Sequence, residues 1–472
     1  MEKRFGGIKK YFMKIHFIGI CGVAMGALAI AFKNNGHEVA GSDAGFFPPI
    51  SDNLKKNRIN FYPGWHVEKM VKNGNPDLTI VGNVASSTNP EWEYIQKNKL
   101  DYLSYPEAVA KYFVKENSIV CAGTYGKTTT AALLSWILTE TGYNPNYMFG
   151  GLAIDYKFAS AYISKSEYSV LEGDEYKSAR WDNRPKFFHY SPTHLLLTAV
   201  KWDHADIYPT KESYFDAFRN LAGSIPKNGL AVLSENIPSV IVKLLNCPII
   251  KYGQSKINDY YYYEVKQSID GQNFKINHKS KIFNLQSETI GDYMAENITA
   301  VFAMACEIGV EPKKIIEAIK SFNGLKRRLE KRGVVNGADV YDDIAHSPAK
   351  AGYSLKTLRN IYIDREIFAI FEPNTGNRKK QSANGYKNAF KDATEVIIPR
   401  LTKIKIDRND LDKPIDGEEL ANIISQTHDT VKYIDNNEKL INYLKEKTQP
   451  GDVIVFLGSH GFRGIIEQLV SR

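Results

Sequence analysis

Residues 118–142, SIVCAGTYGKTTTAALLSWILTETG, limit more than any other stretch what this chain can fold into. The apolar, β-branched run at 118–122 has the composition of a buried strand. Gly123, Thr124, Tyr125 and Gly126 make a glycine-bounded loop, and Lys127, Thr128 and Thr129 follow. Leu133, Leu134, Ile137 and Leu138 then recur at helical spacing until Gly142 and Pro145 end the pattern. Strand, glycine-rich loop, Lys-Thr and helix together form a phosphate cradle. Loop and helix amides face the anion, the lysine adds a point charge, and the Thr128 hydroxyl can hold Mg²⁺. A full Walker pattern would need glycine at Cys121, so this is the shorter G-x-x-G-K-T form. It predicts an ATP-type site.

At 472 residues the chain exceeds one hydrophobic core and should divide into about three domains. The net charge of +8 comes from lysines spread along the chain, which suits anionic small substrates and does not require nucleic acid. Cys21, Cys121, Cys247 and Cys306 lie far apart without a C-x-x-C pair, so neither a disulfide framework nor a zinc site is indicated and a reducing cytoplasm is expected. Basic residues before the apolar run 15–32 imitate a secretory signal, but Gly19, Gly22 and Gly26 interrupt it. That run reads better as strand, turn and helix, with no membrane insertion. Residues 1–12 are expected as a disordered extension.

The chain is α/β throughout: a Rossmann-like N-terminal domain at 13–116, a P-loop ATPase-like central domain with a mostly parallel sheet at 117–323, and a Rossmann-like C-terminal domain at 324–472. In the first, a strand at 14–18 runs into the turn Gly19, Ile20, Cys21, Gly22, and a second strand ends at Ser42-Asp43. Cys21 replaces the close-approach glycine of a dinucleotide fold, yet turn and helix N-terminus still suit a diphosphate. Asp43 could accept from a ribose hydroxyl or be a surface loop acid. A buried strand at 78–82 ends in Asn83, where open α/β sheets bind ligands.

In the central domain, strands at 168–171 and 194–199 are followed by Glu172-Gly173-Asp174-Glu175 and by Trp202-Asp203-His204-Ala205-Asp206. Such clusters are often solvated loops, but both fall at strand ends, where they suit Mg²⁺. Residues 260–285 alternate around Asp270-Gly271, predicting a small β insertion whose tyrosines 260–263 pack a strand. The third domain should open on a hairpin turning at Asn336-Gly337, with strands at 367–371, 395–398 and 453–457.

Gly19-Ile20-Cys21-Gly22 with Met25 and Gly26, Gly41-Ser42-Asp43, residues 123–129, Glu172 to Glu175, Asp203-His204-Ala205-Asp206, Arg327-Arg328-Leu329-Glu330 and residues 342–348 together resemble the Mur ligases, ATP-dependent amide-forming enzymes of peptidoglycan metabolism. The resemblance runs from residue 13 to the C-terminus. Within the family it points to the branch joining UDP-N-acetylmuramate to the murein tripeptide L-alanyl-γ-D-glutamyl-meso-diaminopimelate. The pointers include Pro48-Pro49, His189-Tyr190, Glu372-Pro373 and Gly461-Phe462 with Gly464-Ile465. The sister branch adds L-alanine; a non-catalytic nucleotide-binding protein is the third reading.

The resemblance implies roles. Gly19, Ile20, Cys21, Gly22, Met25, Asp43 and Asn83 would hold the UDP sugar. ATP would lie on Gly123, Thr124, Tyr125, Gly126, Lys127, Thr128, Thr129 and Asn297, with Arg328 and Asp343 from the third domain. Mg²⁺ would take Thr128, Glu172 and His204. Lys127, Glu172, His204, Arg328 and His346 would serve catalysis, His346 near the incoming amine, and the enzyme would be a monomer. The chain departs from the family at Tyr125, at Tyr293 and Met294, at Ser347, and at Asn374-Thr375-Gly376-Asn377 after Glu372-Pro373.

Overall fold

The computed structural model describes residues 12–46, 48–202, 207–402 and 414–471. Apart from the exposed Phe12, the expected extension 1–12 lies outside the described residues, as do Asp203, His204, Ala205 and Asp206. Two compact units result: one holds the N-terminal sheet and most of the central sheet, the other the C-terminal sheet together with residues 264–275 and 284–295 of the central domain.

The N-terminal sheet contains β1 (Lys14–Ile18), β2 (Glu38–Asp43), β3 (Asn60–Pro63), β4 (Leu78–Val81) and β5 (Tyr102–Ser104), in the order β3-β2-β1-β4-β5. All neighbours are parallel. The chain builds outward from β1 through β2 to β3, then returns to the other flank with β4. This reversal leaves a crevice beyond the carboxyl ends of β1 and β4, the usual ligand position of an open α/β sheet.

The central sheet is built on β6 (Asn117–Ala122), with β7 (Asn146–Met148), β8 (Ala161–Tyr162) and β9 (Tyr168–Gly173) on one side. A short antiparallel hairpin, β10 (Lys177–Ala179) and β11 (Asp182–Pro185), stands apart from it. On the other side lie β12 (His194–Leu197), β13 (Leu230–Ser234) and β14 (Ile249–Gly253). β6 pairs in parallel with both β9 and β12, so its carboxyl end sits at the second reversal point. The insertion forms β15 (Tyr260–Ser268), β16 (Gly271–His278) and β17 (Lys281–Ser287), as the alternation predicts, with the first turn at Ile269-Asp270, one residue before the expected Asp270-Gly271. One continuous apolar core runs through this unit, from Phe17 and Phe32 through Phe113 and Val120 to Leu195 and Phe218.

In the second unit, β18 (Glu330–Val335) and β19 (Ala338–Asp343) form the expected hairpin, with Asn336 and Gly337 both at positive φ. β20 (Ile367–Glu372), β21 (Glu395–Pro399), β22 (Val431–Ile434) and β23 (Val453–Gly458) complete the order β18-β19-β23-β20-β21-β22. The last strand is covered on both faces: Val453, Val455 and Leu457 enter one core, Ile454 and Phe456 the other. Among the described residues, no helix is long and apolar enough to cross a membrane.

Candidate active site

The phosphate loop forms where β6 ends. Gly123 takes φ +134°, and a Cβ there would collide with Thr198 Oγ1 and the Ala199 backbone. Gly126 takes φ +80° in the left-handed region and lies so close to Asn297 that a Cβ would come within 2.5 Å of its Oδ1. Only glycine fits either place. The helix Lys127–Glu140 then starts with neither a side-chain cap nor an acidic residue in its first turn. Its first amides remain available to an anion. Thr124 anchors the loop from below, with Lys201 N–H donating to its Oγ1 at 2.9 Å and the Tyr214 hydroxyl 3.0 Å away. Thr198 donates to Tyr125 O and so fixes the far side of the loop. Thr128 and Thr129 are buried, whereas Tyr125 is exposed.

Lys127 folds back over this loop. Its Nζ donates to Gly123 O at 2.9 Å and pairs with Glu175 Oε2 at 2.9 Å. Burial works against the charge, but Glu175, Asp174 and Glu172 outweigh it and hold the Lys127 pKa above the ordinary lysine value. Thr128 Oγ1 donates to Glu172 Oε1 at 2.6 Å, and Gly150 N–H donates to Glu172 Oε2 at 2.6 Å. A hydroxyl and a carboxylate oxygen side by side at the mouth of a phosphate loop are the hard donors that Mg²⁺ takes, so these residues fit that ion. Among the described residues no group of three or more His, Cys, Asp or Glu could hold a metal by itself. His204, the third ligand expected from the sequence, lies outside the described residues.

At the N-terminal crevice, the Gly19 and Ile20 amides donate to Ser42 O at 2.8 and 3.1 Å, while Cys21 N–H donates to Asp43 Oδ2 at 2.8 Å. Asp43 is thus neither a free loop acid nor wholly directed outward: it braces the glycine turn. Ile20 is fully buried and Met25 nearly so, so both pack in the core beneath the turn and neither side chain is open to a ligand. The helix Val23–Asn34 begins at Gly22 without a side-chain cap. Across the reversal point, Gly82 N–H donates to Ile18 O at 2.9 Å, and the exposed Asn83 reaches Lys177 O of β10 at 3.2 Å. The structure therefore gathers Gly19 to Gly22, Asp43 and Asn83 at one sheet edge.

In the second unit, Arg328 sits between two residues of left-handed backbone, Arg327 (φ 59°) and Leu329 (φ 48°). The Arg327 guanidinium donates to Gly458 O, Ser459 O and His460 O beyond β23. Asp343 holds the other side, accepting from Leu329 N–H and Ala345 N–H at 2.8 Å each. Burial raises the Asp343 pKa even though Arg328 opposes the shift. His346 follows β19, its ring Nδ1 within 2.7 Å of Ile344 O, and Asn374 N–H donates to His346 O. Arg328, Asp343 and His346 thus share one sheet edge.

Three contributors escape a sequence reading. Thr198 is one threonine after a strand, and its partner Tyr125 lies 73 positions away. The β10–β11 hairpin is too short and polar to show alternation. Lys186, which ends up 2.5 Å from Asp174, carries no motif.

Two parallel reversal points, one fitted for phosphate, and a third α/β domain make the architecture of a three-domain α/β protein built around a phosphate loop. The chain belongs to the Mur ligase family, whose members are ATP-dependent ligases that form C–N bonds. Residues 14–115 match the Mur ligase family catalytic domain, 121–305 the Mur ligase middle domain, and 327–460 the Mur ligase glutamate ligase domain. It is 30% identical over 463 residues, 97% of this chain and 98% of the relative, to the UDP-N-acetylmuramate–L-alanyl-γ-D-glutamyl-meso-2,6-diaminoheptandioate ligase of Escherichia coli K12. A solved murein peptide ligase from Psychrobacter arcticus 273-4 superposes with TM-score 0.70 at 26% identity, covering 97% of this chain and 98% of that one. A UDP-N-acetylmuramate-alanine ligase from Thermotoga maritima, at TM-score 0.78 and 21% identity over the same shares, has the same fold.

Proposed function

We propose that this chain joins the lactyl carboxylate of UDP-N-acetylmuramate to the amine of L-alanyl-γ-D-glutamyl-meso-diaminopimelate, with ATP cleaved to ADP and phosphate. The observation that carries this reading is the 30% identity to the Escherichia coli ligase of that name along 97% of the chain. The phosphate loop with Lys127 and the Thr128–Glu172 pair supplies the chemistry such a reaction needs.

In this reading the N-terminal domain, 13–116, takes the UDP sugar at Gly19 to Gly22, Asp43 and Asn83. The central domain, 117–323, takes ATP, with Lys127 on the phosphates and Asn297 beside Gly126. A carboxylate oxygen of the sugar attacks the γ-phosphorus, the bond to ADP breaks, and an acyl phosphate forms. Lys127 neutralises charge on the transferred oxygens throughout. Mg²⁺, held by Thr128, Glu172 and His204, would supply further charge neutralisation on those oxygens. The peptide amine then attacks the acyl carbon, loses a proton, and phosphate departs. Arg328, Asp343 and His346 belong to the C-terminal domain, 324–472, which would bring the amine. The four free cysteines fit a cytoplasmic enzyme that needs no disulfide.

Phosphate release measured with UDP-N-acetylmuramate, ATP and Mg²⁺ tests the proposal. Turnover should depend on the tripeptide, with little stimulation by L-alanine. A preference for L-alanine would transfer the chain to the sister activity. Silence with both amines would leave a nucleotide-binding protein without ligation.

A further inference from the structure

Lys186 opens the short turn Lys186–Tyr190 just beyond β11. It lies between the two groups of residues that the ligase reaction must bring together. On one side its Nζ donates to Asp174 Oδ2 at 2.5 Å, two residues beyond Glu172 and next to Glu175, the partner of Lys127. On the other side its ammonium stands 5.7 Å from the ring centroid of Tyr105, which starts the last helix of the N-terminal domain. The hairpin that leads into Lys186 also touches that domain: Lys177 O accepts from Asn83, and Trp181 stacks on Trp92 at 5.0 Å. Lys186 is thus a cation on the seam between the N-terminal ligand edge and the phosphate loop, with its side chain 18% exposed.

A carboxylate that attacks a nucleotide phosphate must approach several anionic oxygens after losing much of its water. Repulsion opposes that approach unless a cation holds the carboxylate. Lys127 is committed to the loop and its phosphates. An ammonium has three N–H donors, and Asp174 takes one from Lys186, so a second carboxylate can be bound without breaking the first contact. We infer that Lys186 holds the attacking carboxylate of the UDP sugar at the phosphate loop. This rests on the ligase reading above.

Kinetics and calorimetry on the full chain test it, with Lys186→Met and Lys186→Arg. Lys186→Met should raise the KM for UDP-N-acetylmuramate roughly tenfold or more, leave the KM for ATP within about twofold, and keep the melting temperature. Lys186→Arg should recover part of the loss. UDP-N-acetylglucosamine, which lacks the lactyl carboxylate, should bind wild type and Lys186→Met alike. An unchanged KM for UDP-N-acetylmuramate would overturn the inference. So would equal weakening of both UDP sugars or a melting temperature lowered together with every KM, since Lys186 would then only pin the hairpin through Asp174. A wild-type chain that neither binds UDP-N-acetylmuramate nor turns it over would instead refute the ligase reading, and the inference with it.

Discussion

Truncating Lys127 takes away the cation that spans Gly123 O and Glu175 at the phosphate loop. Lys127→Ala should abolish ligation, with at least about 3 kcal/mol of transition-state stabilisation lost. UDP-N-acetylmuramate binding should persist, because its proposed contacts, at the N-terminal sheet edge and at Lys186, do not include Lys127. Calorimetry that found both lost together would contradict separate sites. Glu91 presents the opposite case, a buried anion far from the chemistry. It is fully buried and accepts from Ser42 Oγ at 2.5 Å, Tyr62 OH at 2.7 Å and His66 N–H at 2.8 Å, with His16 Nε2 at 3.2 Å. Burial alone would raise its pKa, but His16, Ser42 and Tyr62 outweigh it and hold the carboxyl below its ordinary 4.5. Because the folded-state pKa is depressed, this stabilisation is present above that value and is lost as pH falls through the lower one. Glu91→Gln should cost about 2 kcal/mol at neutral pH, because an amide cannot accept from Ser42, Tyr62 and His66 as the carboxylate does. Its melting temperature should also decline less steeply than that of wild type as pH drops below 4.5. Parallel melting curves from pH 7 to 3 would refute this.

The phosphate loop works as an element because its backbone cannot accept side chains at the turning points. Gly123→Ala would combine a left-handed φ of +134° with a collision against the Ala199 backbone. Strain of about 2 kcal/mol should open the loop, and ATP turnover should fall sharply while UDP-sugar binding survives. Gly142 provides the control. It also has positive φ, +87°, but a Cβ there would meet nothing within 4 Å. Gly142→Ala should therefore cost only about 1 kcal/mol and leave turnover intact. Equal kinetic damage in the two variants would mean that close packing at Gly123 is irrelevant.

Across the first unit, the N-terminal and central domains share a continuous core and meet again through the β10–β11 hairpin. Trp181 is 42% exposed, yet it stacks on Trp92 and meets Tyr102 edge-on at 5.5 Å. Trp181→Ala should lower stability by about 1 kcal/mol in denaturant titrations and weaken UDP-sugar use, since the hairpin that touches Asn83 loses its anchor. Unaltered kinetics with lowered stability would confine the stack to a structural role.

Strands with β-branched runs, the glycine turns after β1 and β6, the Asn336-Gly337 hairpin and the Lys127-Thr128 signal were legible in the sequence. Each depends on neighbours a few positions apart, where period, φ preference and capping are written residue by residue. Other features required the folded chain. Thr198 reaches Tyr125 only because β12 lies beside β6, and Glu91 collects Ser42, Tyr62 and His16 from three strands. Short exposed strands such as β3 and β5 likewise gain their hydrogen bonds from β2 and β4, not from their own pattern. Local sequence determined the sheets and the phosphate cradle, because those obey short-range backbone sterics and burial period. Tertiary structure decided which distant polar groups meet, because sheet order is set by long-range packing that no local spacing records.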